Sequence, residues 1–170
     1  MNSSVNHKIY TMCMIQNDDK VLLINRPDRL GFPGYIAPGG KVDFLESIVD
    51  GAIREVREET GLIVRNIIYK GLAEWCEPNE MLRYMTFNYL VTEFEGQLLE
   101  DPPEGELLWV NKTEALELPM QEWFRTRFPL FFNQGTFELS SIWDSHEKKI
   151  IKETVKHYGV SNIEEAGSFR

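Results

Sequence analysis

The sequence predicts an α/β domain built on a mixed β-sheet. Three observations carry this. Strand-like runs lie on both sides of one strongly amphipathic helix at 47–60, and Pro/Gly-rich or polar segments punctuate them. The chain has 170 residues, long enough for one domain with a real core, and 42% are hydrophobic, so it is a globular sequence. No internal repeat, low-complexity tract or linker divides it, so 1–170 reads as a single domain.

Residues 8–16, "KIYTMCMIQ", read as a strand, "NDDK" as a turn and 21–25, "VLLIN", as a second strand, so the chain opens with a hairpin. "RPDRLGFPGYIAPGG" is a loop with a short extended piece at Tyr35–Ala37. Ser47 to Thr60 is a helix, which Gly61 suits as a stop. Strands follow at 62–75 and 82–94, then a loop through "EGQLLEDPPEGE" and a short strand at 107–110. A helical turn is expected at 112–117, a helix in "MQEWFRTRFPLFF" interrupted near Pro129, and a strand in "TFELSSIW". "SHEKKIIKETVKHYG", from about 145, reads as a terminal amphipathic helix.

Net charge is −9, which argues against a broad surface for duplex nucleic acid but not against a small phosphate ligand, because bound metal reverses the local sign. The first residues lack the pattern of a signal peptide, and no apolar run approaches membrane-spanning length. Cys13 and Cys76 show no CxxC spacing, which suggests idle thiols in a cytoplasmic protein, and three scattered histidines give no zinc pattern.

Within the helix, Ile48, Ala52 and Val56 form a core stripe at i, i+4, i+8. Glu55, Glu58 and Glu59 fall at i, i+3, i+4 and cluster on another face. Like charges there repel, and two sit near the helix C-terminus, where the dipole disfavours them. A solvated acidic face is the plain reading. A site for a hard divalent cation, which takes oxygen ligands, is the sharper one.

The spacing goes further. Gly40, five residues, Glu46, seven residues and then Arg54-Glu55-Val56-Arg57-Glu58-Glu59-Thr60-Gly61-Leu62 reproduce the Nudix signature. With the preceding hairpin, the "PGG" leading into the box and the acidic loop before "LLWV", the sequence resembles the MutT/Nudix hydrolases over roughly residues 8–135. The resemblance implies an α/β/α sandwich with a central mixed sheet. It also implies hydrolysis of a nucleoside diphosphate linked to a group X, with Mg²⁺ or Mn²⁺ as cofactor.

Carried over by position, Glu55, Glu58 and Glu59 would be metal ligands, together with the backbone carbonyl of Gly39. Arg54 and Glu46 would orient the catalytic carboxylates, and Gly40 would serve backbone geometry. Glu58 would be the general base, with Glu55 the alternative. A further ligand is expected from the loop before "LLWV", where Glu104 and Glu106 both qualify.

For X, the short chain, the "RPDRLGFPGYIAPGGKV" loop and the aromatic segment "LPMQEWFRTRFPLFF" resemble MutT-type sanitising enzymes. These act on nucleoside triphosphates such as 8-oxo-dGTP. Arg26 would reach phosphate or base, and Trp123 and Phe124 would stack the base. The sequence departs from that pattern in having no Asn before the double glycine, Asp43 in place of the commoner Glu, and a basic "FRTR" after Trp123. Pro78 lies about where ADP-ribose pyrophosphatases tend to carry a proline, which makes ADP-ribose or another nucleotide sugar the alternative substrate. A non-hydrolysing nucleotide-binding regulator is a further alternative. The expected partner is a small nucleotide, with no membrane and no duplex, and the assembly a monomer or homodimer.

Overall fold

The structure, a computed structural model, describes residues 4–160. The ends of the expected 1–170 domain lie outside the described residues. Among the described residues eight strands form one mixed sheet: β1 Asn6–Asn17, β2 Lys20–Arg26, β3 Gly34–Ile36, β4 Ile63–Glu77, β5 Leu82–Glu95, β6 Glu106–Asn111, β7 Thr136–Asp144 and β8 Lys149–Tyr158. Their order is β3-β2-β1-β5-β4-β7-β8, with β6 paired to β2. The β1/β5 and β4/β7 pairs are parallel and the others antiparallel.

Alternation along β1 and β2 sends side chains to two cores. Met12, Met14, Val21 and Leu23 face one side, where α2 (Glu122–Arg127) and a following 3-10 turn at Phe128–Phe132 supply Phe124, Phe128 and Phe131. Cys13, Ile15, Leu22, Tyr89 and Val91 face the other, where α1 (Ile48–Thr60) buries Ala52 and Val56. Helical layers on both faces of the sheet make this an α/β/α sandwich.

α1 begins and ends where its residues dictate. Ser47 Oγ accepts from the Asp50 amide at 3.1 Å, and Gly61 closes the helix at φ 83°, its amide donating to Arg57 O at 2.9 Å. The helix expected across residues 120–132 is shorter than its pattern suggested. Pro129 has no amide to donate, and the chain passes into the 3-10 turn.

The expected terminal helix from about 145 is a strand, and this expectation is corrected. Ile151, Val155 and Tyr158 fit a helical period, but Ile150, Ile151, Thr154 and Val155 are β-branched, which favours a strand. The preceding turn decides the matter. The Asp144 carboxylate accepts from the amides of His146 and Glu147, and Lys148 adopts φ 53°, so the chain folds back onto β7. The register then runs from Asp144↔Lys149 to Thr136↔Tyr158. Lysines 149, 152 and 156 line this outer strand, as suits an edge that should not recruit another.

One irregularity positions the site. β1 and β2 are hydrogen-bonded only near their hairpin, at Ile15↔Leu22 to Asn17↔Lys20. Beyond that point the segment 38–40 takes the place of β2 beside β1. Cys13 N donates to Pro38 O at 2.7 Å, and Thr11 N to Gly40 O at 2.8 Å.

Candidate active site

The segment 38–40 brings two glycines against the acidic face of α1. The Gly39 amide donates to Glu59 Oε2 at 2.9 Å. A side chain at Gly39 would place its Cβ 2.1 Å from Thr11 O, and one at Gly40 would lie 2.5–2.7 Å from the Glu55 carboxylate. At Gly39 only a residue without Cβ lets the backbone run this close to β1, and at Gly40 an added Cβ would displace the Glu55 carboxylate.

Arg54 organises the carboxylates. Its Nε and Nη2 donate to the two Glu46 oxygens at 3.1 and 2.7 Å, a bidentate pair. Its Nη1 donates to Glu55 Oε1 at 2.8 Å and Glu58 Oε2 at 3.0 Å, while Nη2 also reaches Lys41 O at 3.0 Å. Burial grades the three helix glutamates. The Glu58 side chain is 58% exposed and that of Glu55 is 15% exposed, while Glu59 is buried.

The electrostatics follow from this grading. Burial pushes the Glu59 carboxyl up to about 8; Glu55 and Glu104 add to the rise, and the Gly39 amide and Arg26 oppose it. Burial also raises Glu55, against the pull of Arg54. The hydrogen bonds from Arg54 hold Glu46 below the usual carboxylate range.

Arg26 and Glu104 form an ion pair at 2.9 Å. The other nitrogens of Arg26 are also engaged, Nε with Gly31 O at 2.8 Å and Nη2 with Leu30 O at 2.9 Å, so this residue braces the loop beside the site. Glu104, whose charge is felt at Glu59, lies toward the acidic cluster, whereas Glu106 is exposed at the start of β6. Gly39, Gly40, Glu46, Arg54, Glu55, Glu58 and Glu59 are thus gathered in one place. Among the described residues, no group of three or more acidic, His or Cys side chains is arranged to hold a metal ion. The reason is visible: Arg54 lies between Glu55 and Glu58, and Glu59 turns to the Gly39 amide.

The aromatic residues part company. Trp123 is half-buried, but Phe124 is 0% exposed inside the core against Phe128. Phe124 is therefore corrected from a stacking residue to a core residue. The i, i+1 spacing already separates the two, because successive helical positions face different ways. Sequence reasoning did not single out Arg127 or Asn88. The segment "FRTR" reads as basic, but nothing in its composition marks that Arg127 alone turns inward, where it is buried beside Asn88. Pro78 sits in the β4–β5 turn, its carbonyl accepting from the Met81 amide at 3.3 Å.

A mixed sheet between helices, with a glycine segment laid against a Glu-rich helix, defines a pyrophosphohydrolase of the Nudix class. The chain belongs to the Nudix hydrolase family: the family model for the NUDIX domain matches residues 6–131. It is similar to the uncharacterized Nudix hydrolase YvcI of Bacillus subtilis, at 37% identity over 113 residues, covering 65% of this chain and 70% of that one. A second Bacillus subtilis protein, provisionally named 8-oxo-dGTP diphosphatase YtkD, is 28% identical over 151 residues, 87% of this chain and 75% of its own. An ADP-ribose pyrophosphatase of Methanocaldococcus jannaschii is 45% identical over 106 residues, but the match spans 61% of this chain and 62% of that protein. Among solved structures, a mutator MutT protein from Bacillus halodurans superposes with a TM-score of 0.77 at 31% identity, over 88% of this chain and 97% of that one. Among the described residues no helix is long and apolar enough to cross a membrane.

Proposed function

We propose that this chain hydrolyses a nucleoside triphosphate to a nucleoside monophosphate and pyrophosphate, with oxidised purine nucleotides such as 8-oxo-dGTP as its substrate class. The observation that carries the reaction is the gathering of Glu55 and Glu58 on Arg54 and of Glu59 on the Gly39 amide, beside the Gly39–Gly40 segment. The substrate class is supported by likeness to a MutT structure over 88% of the chain and to YtkD over 87%.

The residues fit a divalent cation in their donor chemistry, because they offer hard oxygen ligands in a half-buried acidic setting. Glu55, Glu58 and Glu59 would hold it, with Glu104 and the Gly39 carbonyl. The Gly39 N–H already faces Glu59, so the backbone of this segment lies against the cluster. When bound, Mg²⁺ or Mn²⁺ neutralises phosphoryl charge and acidifies water. The protein's own groups do the rest. Arg54 holds Glu46, Glu55 and Glu58 in register, and the exposed Glu58 takes the proton of the water that attacks the β-phosphorus. The bond between the β-phosphorus and the bridging oxygen breaks, and that oxygen leaves with the monophosphate.

Hydrolysis in ¹⁸O-water tests this reading. The label is expected in pyrophosphate and not in the monophosphate, and label in the monophosphate overturns the assignment. The second reading, ADP-ribose hydrolysis, is favoured by the 45% identity to the archaeal ADP-ribose pyrophosphatase. It wins if ADP-ribose outcompetes every triphosphate in a panel.

A further inference from the structure

On the sheet face opposite α1, Arg127 is buried without a counter-charge. Arg127 is 7% exposed, and among the described residues no carboxylate lies within ion-pair distance of it. Its Nη1 has only long contacts, to Asn88 Oδ1 at 3.4 Å and Met12 Sδ at 3.8 Å, and its Nε has no partner. Burial lowers its pKa to about 10. A buried guanidinium is costly unless paired or hydrogen-bonded, and five donors with two long contacts leave it short of partners.

The surroundings hold that cation in a fixed place. Asn88 is itself locked, its amide donating to Gly71 O at 3.2 Å and Thr86 O at 2.8 Å, so its Oδ1 is presented to Arg127. Trp123, one turn earlier on α2, covers the guanidinium with its ring at 5.1 Å. Trp123 is half-buried, so the cover is also the part of this cluster that solvent reaches.

The position ties this group to the acidic site. Arg127 touches Met12, and the Met12 backbone is what Gly39 packs against, 2.8 Å from where a Gly39 Cβ would lie. Gly39 in turn holds Glu59. Met12 of β1 thus touches both Arg127 and the glycine segment that holds Glu59, so one residue of β1 separates the two groups.

We propose that Arg127, held by Asn88 and covered by Trp123, is the specificity contact for the base, donating to the ring-carbonyl edge of an oxopurine. The inference rests on the reading above that the substrate is a nucleotide. Arginine has donors only and demands acceptors. At position 6 guanine and 8-oxoguanine both offer the O6 acceptor, although N7 accepts in guanine and carries a proton in 8-oxoguanine, whereas adenine turns its N6 amino donor to that position. Guanine-type nucleotides give the buried guanidinium an acceptor at O6, and adenine nucleotides set a donor against it there.

The test measures binding without turnover. Calorimetry with Mg²⁺ compares dGMP, 8-oxo-dGMP, dAMP and inorganic pyrophosphate on the wild type and on Arg127→Met, and a thermal melt accompanies each protein. The wild type is expected to prefer the guanine nucleotides by about tenfold or more, as for loss of a bidentate base contact. Arg127→Met is expected to lose that preference, with dAMP and pyrophosphate binding unchanged. Its melting temperature is expected to hold or rise, because an uncompensated buried charge has been removed. Arg127→Lys keeps the charge but not the fork, and it should lose the preference too.

Preference retained in a folded Arg127→Met overturns the proposal, as does equal weakening of all four ligands. If Arg127→Met does not fold, Arg127→Lys decides, and failure of both to fold assigns Arg127 a structural role and overturns the proposal. A wild type that binds ADP-ribose but no nucleoside monophosphate instead sinks the triphosphate reading, a separate outcome.

Discussion

The backbone amide of Gly39 donates to Glu59 Oε2 at 2.9 Å, joining the glycine segment beside β1 to the last turn of α1. Burial pushes the Glu59 carboxyl up to about 8, and this contact is the hydrogen bond that opposes the rise.

A stability consequence follows for metal-free protein. A carboxyl whose pKa is raised on folding stabilises the native state fully below the unfolded value, and that contribution is lost as pH rises through the folded value. With EDTA present, the melting temperature should therefore fall as pH rises from 6 to 9, and the fall should flatten in Glu59→Gln. Millimolar Mg²⁺ should raise the melting temperature more at pH 8.5 than at pH 6, where protons compete for the site. An Mg²⁺ shift of equal size at both pH values would contradict the assignment of Glu59 as a ligand.

Glu58→Gln tests the proton acceptor. The side chain is 58% exposed and its contact is with Arg54, so the melting temperature should hardly move. Turnover should fall by about two orders of magnitude or more, the usual cost of losing a general base. Near-wild-type turnover in the folded variant would shift the role to Glu55.

The two adjacent glycines should separate folding from activity. At Gly40 an added Cβ meets the end of the Glu55 side chain, which can swing away, so Gly40→Ala should fold normally and lose activity. At Gly39 the Cβ meets backbone at Thr11, so Gly39→Ala should lose about 2 kcal/mol or more of stability. Paired urea melts and assays check both, and equal stability in the two variants would count against the geometry.

Much of this arrangement was legible beforehand, for physical reasons that can be named. The α1 cap at Ser47, the stop at Gly61 and the glutamate spacing are local facts, so the sequence carries them directly. β8 was misread because Ile151, Val155 and Tyr158 satisfy a helical period, while the strand depends on pairing with β7 through a turn made by Asp144. The inward turn of Arg127 was equally hidden, because its neighbours Met12 and Asn88 come from distant strands. Arg26 illustrates the same limit: an exposed-looking cation at the end of β2 spends its donors on Leu30, Gly31 and Glu104.

Leu45 offers a stabilising change. It adopts φ 78° and is 88% exposed, so it bears left-handed strain without gaining burial. Leu45→Gly should add about 1 kcal/mol and raise the melting temperature by about 2–4 °C. A lower melting temperature would mean that Leu45 makes contacts in solution.

The parallel pairing of β1 with β5 has a kinetic consequence. Partners such as Asn6 and Leu82 enclose almost the whole acidic site within the loop of chain that they close. Ala52 and Val56 of α1 bury themselves against Cys13 and Ile15 from one of these strands and Tyr89 and Val91 from the other. The helix therefore has no complete surface to rest on until ends far apart in sequence have met, a non-local step that places folding on a scale of about milliseconds to seconds. The carboxylates converge on Gly39 only after that barrier is crossed. A cation that binds them acts on the finished protein and not on its folding nucleus, so it slows unfolding and leaves the rate of folding unchanged.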